Sequence, residues 1–115
     1  FMFEPRYHGN FSDKEDVESA FEEDLSDYEI LIAVYDTGSY EGDAHVLARK
    51  DGKLYEVSVS HCSCNGLEGS WAPYEVTPEY LALRSEGLEK SLYESGVDYS
   101  NEIANFLRYL KENAQ

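Results

Sequence analysis

The string His-Cys-Ser-Cys at residues 61–64 contains the residue types that bind metal ions or act as catalytic nucleophiles. Proteins hold zinc with Cys sulfur and His nitrogen, typically through two closely spaced pairs of ligands. His61, Cys62 and Cys64 supply three ligands and His45 or His8 could be a fourth, but the second closely spaced pair is missing from the sequence. Zinc binding here is therefore an alternative, and packing of two reduced Cys side chains is the preferred interpretation.

The same string also offers a nucleophile for a small thiol-dependent enzyme. A thiolate at Cys62 or Cys64 would be activated by His61 or His45. The chain carries 24 acidic and nine basic side chains, and this surplus of negative charge disfavours a thiolate. We therefore predict no catalytic residue, no resident metal and no cofactor, and we keep the enzyme as an alternative function.

The formal net charge of −15 narrows the range of partners. Nucleic-acid backbones and anionic membranes would repel such a protein, whereas a basic protein surface would attract it. We therefore expect a basic protein partner, with no direct binding to nucleic acid or to a membrane. The alternative is that the charge serves solubility alone.

Acidic side chains concentrate in and after the first predicted helix, where only Lys14 is basic. An apolar stripe of Val17, Ala20, Phe21 and Leu25 marks this helix as amphipathic. We expect it to begin near Ser12, whose hydroxyl would form a capping box with Glu15. The predicted partner-binding surface consists of Asp13, Glu15, Asp16, Glu18, Glu22, Glu23, Asp24 and Asp27.

The rest of the pattern predicts three strands and two further helices. Residues 28–35 are β-branched and aromatic on both faces, as in a central strand covered by helices. Asp51-Gly52 is typical of a two-residue hairpin turn, and counting outward from it pairs Ala48 with Tyr55 and Val46 with Val57.

The C-terminal part of the chain carries the signals for those two helices. Thr77-Pro78 predicts the start of one, with Leu81, Leu88 and Leu92 along one face. Ser100 would cap the other, and its apolar positions are Ile103, Phe106, Leu107 and Leu110. With 115 residues, the chain 1–115 has room for a single domain. We expect an α+β fold, a small antiparallel sheet of about three strands with helices packed on it, in the order α-β-β-β-α-α.

Residues 28–71 resemble small proteins of bacteriophages and prophages that mostly carry no assigned function. The resemblance lies in Gly-Ser-Tyr-Glu-Gly at residues 38–42, in Asp-Gly-Lys-Leu-Tyr-Glu-Val at residues 51–57, and in a loop of the form His-Cys-x-Cys-x-Gly-Leu-Glu-Gly-x-Trp ending at Trp71. It implies an origin rather than an activity. Small acidic phage proteins include antirestriction and anti-CRISPR proteins, some of which imitate the charge of DNA.

These observations favour a binding protein over an enzyme. We expect an inhibitor of phage origin that blocks a basic, nucleic-acid-binding surface of a host defence protein, in the manner of a DNA mimic. A non-catalytic phage structural or assembly protein is a further alternative. The longest apolar run, residues 30–35, is far shorter than the roughly 20 residues that span a bilayer, and we expect a cytoplasmic location in the host cell. The sequence leaves the identity of the target and the oligomeric state open.

Overall fold

A computed structural model describes residues 3–37, 41–62, 66–83 and 99–113. Within these ranges, five strands form one sheet in the order β1-β2-β3-β4-β5. β1 pairs in parallel with β2, and the other neighbours are antiparallel. The elements are β1 (Arg6–Gly9), α1 (Lys14–Phe21), β2 (Glu29–Thr37), β3 (Glu41–Lys50), β4 (Lys53–Cys62), β5 (Tyr74–Val76), α2 (Pro78–Leu83) and α3 (Tyr99–Glu112).

The predicted three-stranded antiparallel sheet in the order α-β-β-β-α-α is wrong. The sheet is mixed and five-stranded, and the described elements follow the order β-α-β-β-β-β-α-α. The two additional strands lie at its edges and have four and three residues, too few for an alternating pattern to show in the sequence. At the end of β1, Gly9 has a φ of 68°, and a Cβ there would collide with the carbonyl of Tyr35.

Helix α1 begins one residue later than predicted. Asp13 caps it by accepting the N–H of Asp16 at 2.9 Å, and the Asp16 carboxylate accepts the N–H of Ser12 at 2.8 Å. The capping box predicted for Ser12 and Glu15 is therefore wrong: a carboxylate, Asp13, is the cap, and the side chain of Asp16 bonds back to the N–H of Ser12, one residue before the cap. The helix ends at Phe21, and its C-cap Glu22 takes the left-handed conformation with φ 54°.

The C-terminal helices match the prediction in part. Thr77 caps α2, because its Oγ1 accepts the N–H of Tyr80 at 3.1 Å. Leu88 and Leu92 lie outside the described residues. The predicted cap at Ser100 is wrong, since α3 already includes Tyr99.

The central hairpin has the predicted register, with Ala48 opposite Tyr55 and Val46 opposite Val57. Its turn at Asp51-Gly52 has φ values of 53° and 77°, as the two-residue turn requires. The predicted central strand is β2, which lies between β1 and β3. Between Ile30 and Ile32 the pairing of β2 with β3 shifts by one residue.

Each face of the sheet carries its own core cluster. We call one the α1 face; its buried side chains are Phe11, Val17, Phe21, Leu25, Ile30, Ala33, Ala44, Val46, Ala48, Val57 and Leu67. We call the other the α3 face; its buried side chains are Leu31, Ile32, Val34, Leu47, Leu54, Val76, Leu81, Tyr99, Ile103 and Phe106. The sheet thus separates the acidic helix α1 from α2 and α3. None of the helices in the described residues is long and apolar enough to cross a membrane.

Candidate functional site

The acidic residues predicted to bind a partner fall into two groups, and the first group holds the backbone of α1 and the loop after it. Asp13 and Asp16 make the cap described above. Glu18 accepts the N–H of Leu25 at 2.9 Å, and Asp24 accepts the N–H of Ser26 at 3.0 Å. The hydrogen bond from the Ser26 backbone is the main reason that the pKa of Asp24 lies below its usual value. These carboxylates fix the path of the chain from the helix into β2.

The second group is exposed and consists of Glu15, Glu22, Glu23 and Asp27. Within the described part of the chain, no carboxylate of α1 or its following loop takes part in an ion pair. Lys14 is the basic residue of this segment, and its Nζ donates to the carbonyl oxygen of Tyr28 at 2.7 Å. The exposed carboxylates therefore present negative charge that no ion pair with a described residue neutralises. We call residues 13–27 the acidic segment.

The lone Trp71 lies beneath the acidic segment. Its ring makes edge-to-face contacts with Phe21 at 5.2 Å and with Tyr28 at 5.4 Å between ring centroids. Trp71 is partly buried and packs against the α1-face cluster.

The structure describes only part of the His-Cys-Ser-Cys string. His61 lies in β4, and its Nε2 shares a hydrogen bond with the hydroxyl of Tyr35 at 2.7 Å. Burial, with the charge of Glu68 adding to it, raises the pKa of that Tyr35 hydroxyl. The side chain of Cys62 and the whole of Cys64 lie outside the description, so the zinc and thiol alternatives stay predictions.

The other two His side chains lie on the opposite face of the sheet from His61. The Nδ1 of His45 is 2.9 Å from the Ser58 hydroxyl, and its ring stacks on Tyr99 of α3 at 4.8 Å. His8 contacts Glu102 of α3. Because side chains alternate along a strand, neither ring shares the face of His61. The described residues contain no group of three or more His, Cys, Asp or Glu side chains placed to hold a metal ion.

The α3 face contains a buried carboxylate that the sequence analysis did not identify as a special group. Glu56 of β4 has no exposed surface, and it accepts hydrogen bonds from the hydroxyls of Tyr99 at 2.8 Å and Tyr74 at 3.0 Å. Burial, followed by the Glu56 charge, raises the pKa of Tyr74, so this hydroxyl stays a donor well into the alkaline range. The available signal was the register, which placed Glu56 opposite Leu47 on a strand with apolar residues on both faces.

A second carboxylate of the α3 face, Glu102, joins α3 to β1. Its Oε2 accepts from Arg6 Nε at 3.1 Å and lies 2.5 Å from His8 Nε2, while Oε1 accepts from Asn105 at 3.3 Å. Burial would raise the pKa of Glu102, but the His8 hydrogen bond, the Arg6 charge and Asn105 outweigh it and lower the pKa overall. The sequence did not predict this contact, because Arg6 and Glu102 are 96 positions apart along the chain.

Comparison of the chain with protein-family models, with curated proteins and with solved structures finds no match. Among the described residues, Glu15, Glu22, Glu23 and Asp27 of the acidic segment are exposed and form no ion pair.

Proposed function

We propose that this protein is an acidic inhibitor of phage origin that binds a basic, nucleic-acid-binding surface of a host defence protein through its acidic segment. One observation carries the proposal. Glu15, Glu22, Glu23 and Asp27 stand exposed and without ion pairs to described residues, on a backbone that the neighbouring carboxylates hold in place. The host setting rests on the likeness of residues 28–71 to small phage proteins.

A fixed backbone matters because binding is opposed by the loss of conformational freedom. Carboxylates on a segment that is already ordered lose less freedom on binding than carboxylates on a flexible tail. Duplex DNA likewise offers its partners a regular array of negative charges on a stiff backbone. A cleft of Arg and Lys side chains that accepts phosphates would thus accept the acidic segment in the same way.

The contact made by Lys14 also favours a partner-binding surface over negative charge that serves solubility alone. Solubility needs net charge but no particular placement of it, and a lysine paired with nearby carboxylates would relieve repulsion in the helix. Lys14 instead donates to the carbonyl of Tyr28, and its charge adds to the hydrogen bonds from Ser26 that lower the pKa of Asp24. No ion pair with a described residue is formed by Glu15, Glu22, Glu23 and Asp27. The repulsion among these carboxylates is relieved when a cationic surface binds, which strengthens the attraction to such a partner.

The proposal can be tested by capturing host proteins on the immobilised chain. The test variant Glu15→Gln/Glu23→Gln/Asp27→Asn removes exposed carboxylates that hold no described backbone group. We expect the native chain to retain a nucleic-acid-binding protein that elutes at raised salt, because exposed charge contacts weaken as the Debye length shortens. Duplex DNA or RNA added in excess should also release it, since both ligands would occupy one cleft.

A matched variant controls for net charge. Glu4→Gln/Asp51→Asn/Glu112→Gln removes the same number of exposed carboxylates from outside the acidic segment. We expect the control to retain the captured protein and the test variant to lose it, mainly through slower association. Equal retention by both variants, or a captured protein that excess nucleic acid does not release, would contradict the proposal.

A further inference from the structure

The open edge of the sheet at β5 carries exposed aromatic rings. Tyr74 of β5 and Tyr80 of α2 are each 43% exposed, and both line a shallow cleft of about 340 Å³ together with Glu75, Val76 and Thr77. We call these five residues the β5 edge surface. In the described residues no strand pairs with the outer side of β5, so its backbone groups on that side face away from the sheet.

The ring of Tyr74 is held in place from below. Its hydroxyl donates to the fully buried Glu56, which in turn is bound by Tyr99. A tyrosine whose hydroxyl bonds inward while its ring stays exposed offers a flat apolar surface with little freedom left to lose. The buried carboxylate of Glu56 thus holds the exposed ring of Tyr74 in one position.

Carboxylates accompany the rings on both faces of the strand. Tyr74 and Val76 pair with residues of the α3 face, so Glu75 between them projects to the α1 face. Glu79 is exposed in the first turn of α2, next to Tyr80. Neither Glu75 nor Glu79 forms an ion pair with a described residue. The β5 edge surface thus combines aromatic rings with unneutralised negative charge.

We propose that the β5 edge surface binds an extended, arginine-containing segment of a partner protein, which adds to the sheet as a strand beside β5. The backbone of the segment would pair with the outer side of β5. An arginine on the α3 face would insert its guanidinium between the rings of Tyr74 and Tyr80, so that its stacking needs both rings, and a basic residue next to it would face Glu75. Arginine fits better than lysine, because the planar guanidinium stacks on an aromatic ring while it pairs with a carboxylate.

This site does not depend on the acidic segment, which packs against the other face of the sheet. A partner could use either surface or both. The two proposals can therefore fail separately.

The test uses the whole chain and two synthetic peptides. Both are seven-residue peptides of valine and threonine with two adjacent basic residues at the centre, arginines in one and lysines in its twin. We expect the arginine peptide to bind about threefold to fivefold more tightly than the lysine peptide. Its titration should shift the backbone amide resonances of residues 74–76, as strand addition requires.

Three variants assign the preference to its site. Tyr80→Ala should abolish the preference for arginine, Tyr80→Phe should keep it because the ring remains, and Glu75→Gln should weaken both peptides. The test variant of the acidic segment, Glu15→Gln/Glu23→Gln/Asp27→Asn, should lower both affinities equally and keep the preference. Equal affinity of the native chain for the two peptides, or a preference that survives Tyr80→Ala, would overturn the proposal whatever the host-protein capture shows.

Discussion

On the α1 face no charged side chain is buried among the described residues, whereas the α3 face buries both Glu56 and Glu102. The α1 face lies under the most acidic part of the chain, yet no carboxylate of residues 13–27 is buried, and those with a described hydrogen bond accept it from backbone N–H groups or, for Asp24, also from the Ser26 side chain. On the α3 face, carboxylates enter the core and meet tyrosine hydroxyls, an arginine and a histidine.

The difference shows two ways in which a chain with net charge −15 can place its carboxylates. A buried carboxylate is tolerated only when donors replace the water it loses, and each donor then becomes tied to a fixed position. The α3 face thereby joins β1, β4, β5 and α3 through specific polar contacts. The α1 face relies on apolar packing and leaves its charge available to a partner.

The largest expected effect is the loss of apolar packing on the α1 face. Phe21→Ala removes a fully buried ring that contacts Trp71, and we expect it to lower the free energy of unfolding by about 3–5 kcal/mol. Urea unfolding followed by Trp71 fluorescence measures this. The matched control is Tyr80→Ala, an exposed ring of similar size. A loss below about 1 kcal/mol for Phe21→Ala would mean that α1 contributes little to the core.

Glu56→Gln tests the specific contacts of the α3 face. The substitution keeps the size of the side chain but replaces one acceptor oxygen by a donor that faces a tyrosine hydroxyl. We expect the free energy of unfolding to fall by roughly 1–2 kcal/mol, the cost of one mismatched buried hydrogen bond. Glu68→Gln at an exposed position is the control and should change little. If both variants unfold at the same urea concentration, Glu56 is not a structural anchor.

The parts of the fold that the sequence predicted are those determined by local pattern. The hairpin register follows from Asp51-Gly52 and the alternation around it, and β2 follows from its apolar run. β1 was missed because its stability comes from parallel pairing with β2 and from the contact of Arg6 and His8 with Glu102. The contacts with Glu102 join residues more than 90 positions apart, and no periodicity in the sequence records either these contacts or the parallel pairing.

Glu102→Gln tests the same contact through its pH dependence. Because the pKa of Glu102 is lowered on folding, the unfolded chain takes up the proton first as the pH falls. The stability that Glu102 contributes is thus present above its usual pKa of about 4.5 and is lost as the pH drops through the lower value of the folded state.

We expect Glu102→Gln to lower the free energy of unfolding by roughly 1–2 kcal/mol at pH 7, and the gap to the native chain to narrow between pH 5 and pH 3. Urea unfolding at each pH measures the gap. Glu112→Gln, an exposed residue of the same helix, should show no such narrowing. A gap that is constant with pH would show that the Glu102 contact does not depend on its charge.

The sequence predicted which acidic residues form the acidic segment, but it did not predict what each carboxylate does in the fold. Seven of the eight acidic residues lie on α1 or in the loop after it, and Asp13 caps the helix, but the sequence could not separate those that hold the backbone from those that only stand exposed. Glu18 shows why. Its carboxylate accepts the N–H of Leu25, which lies beyond the end of the helix, so the bond depends on how the chain turns after Glu22.

The smallest expected effect separates these two groups of carboxylates. Glu15→Gln/Glu23→Gln/Asp27→Asn removes like charges that no described residue pairs, and within α1 the repulsion between Glu15 and its helical neighbour Glu18 costs about 0.2–0.5 kcal/mol. We therefore expect the free energy of unfolding to stay the same or to rise by a few tenths of a kcal/mol.

Asp13→Ala, by contrast, removes the cap of α1 and should lower the free energy of unfolding by about 1 kcal/mol, although it too removes one negative charge. Raising the salt concentration should reduce the gain of the triple variant, because exposed charges are screened, and should leave the loss from Asp13→Ala largely unchanged. If the triple variant is clearly destabilised, its carboxylates have an internal role in the fold. The acidic segment would then be a structural feature of α1, and its charge would no longer point to a partner.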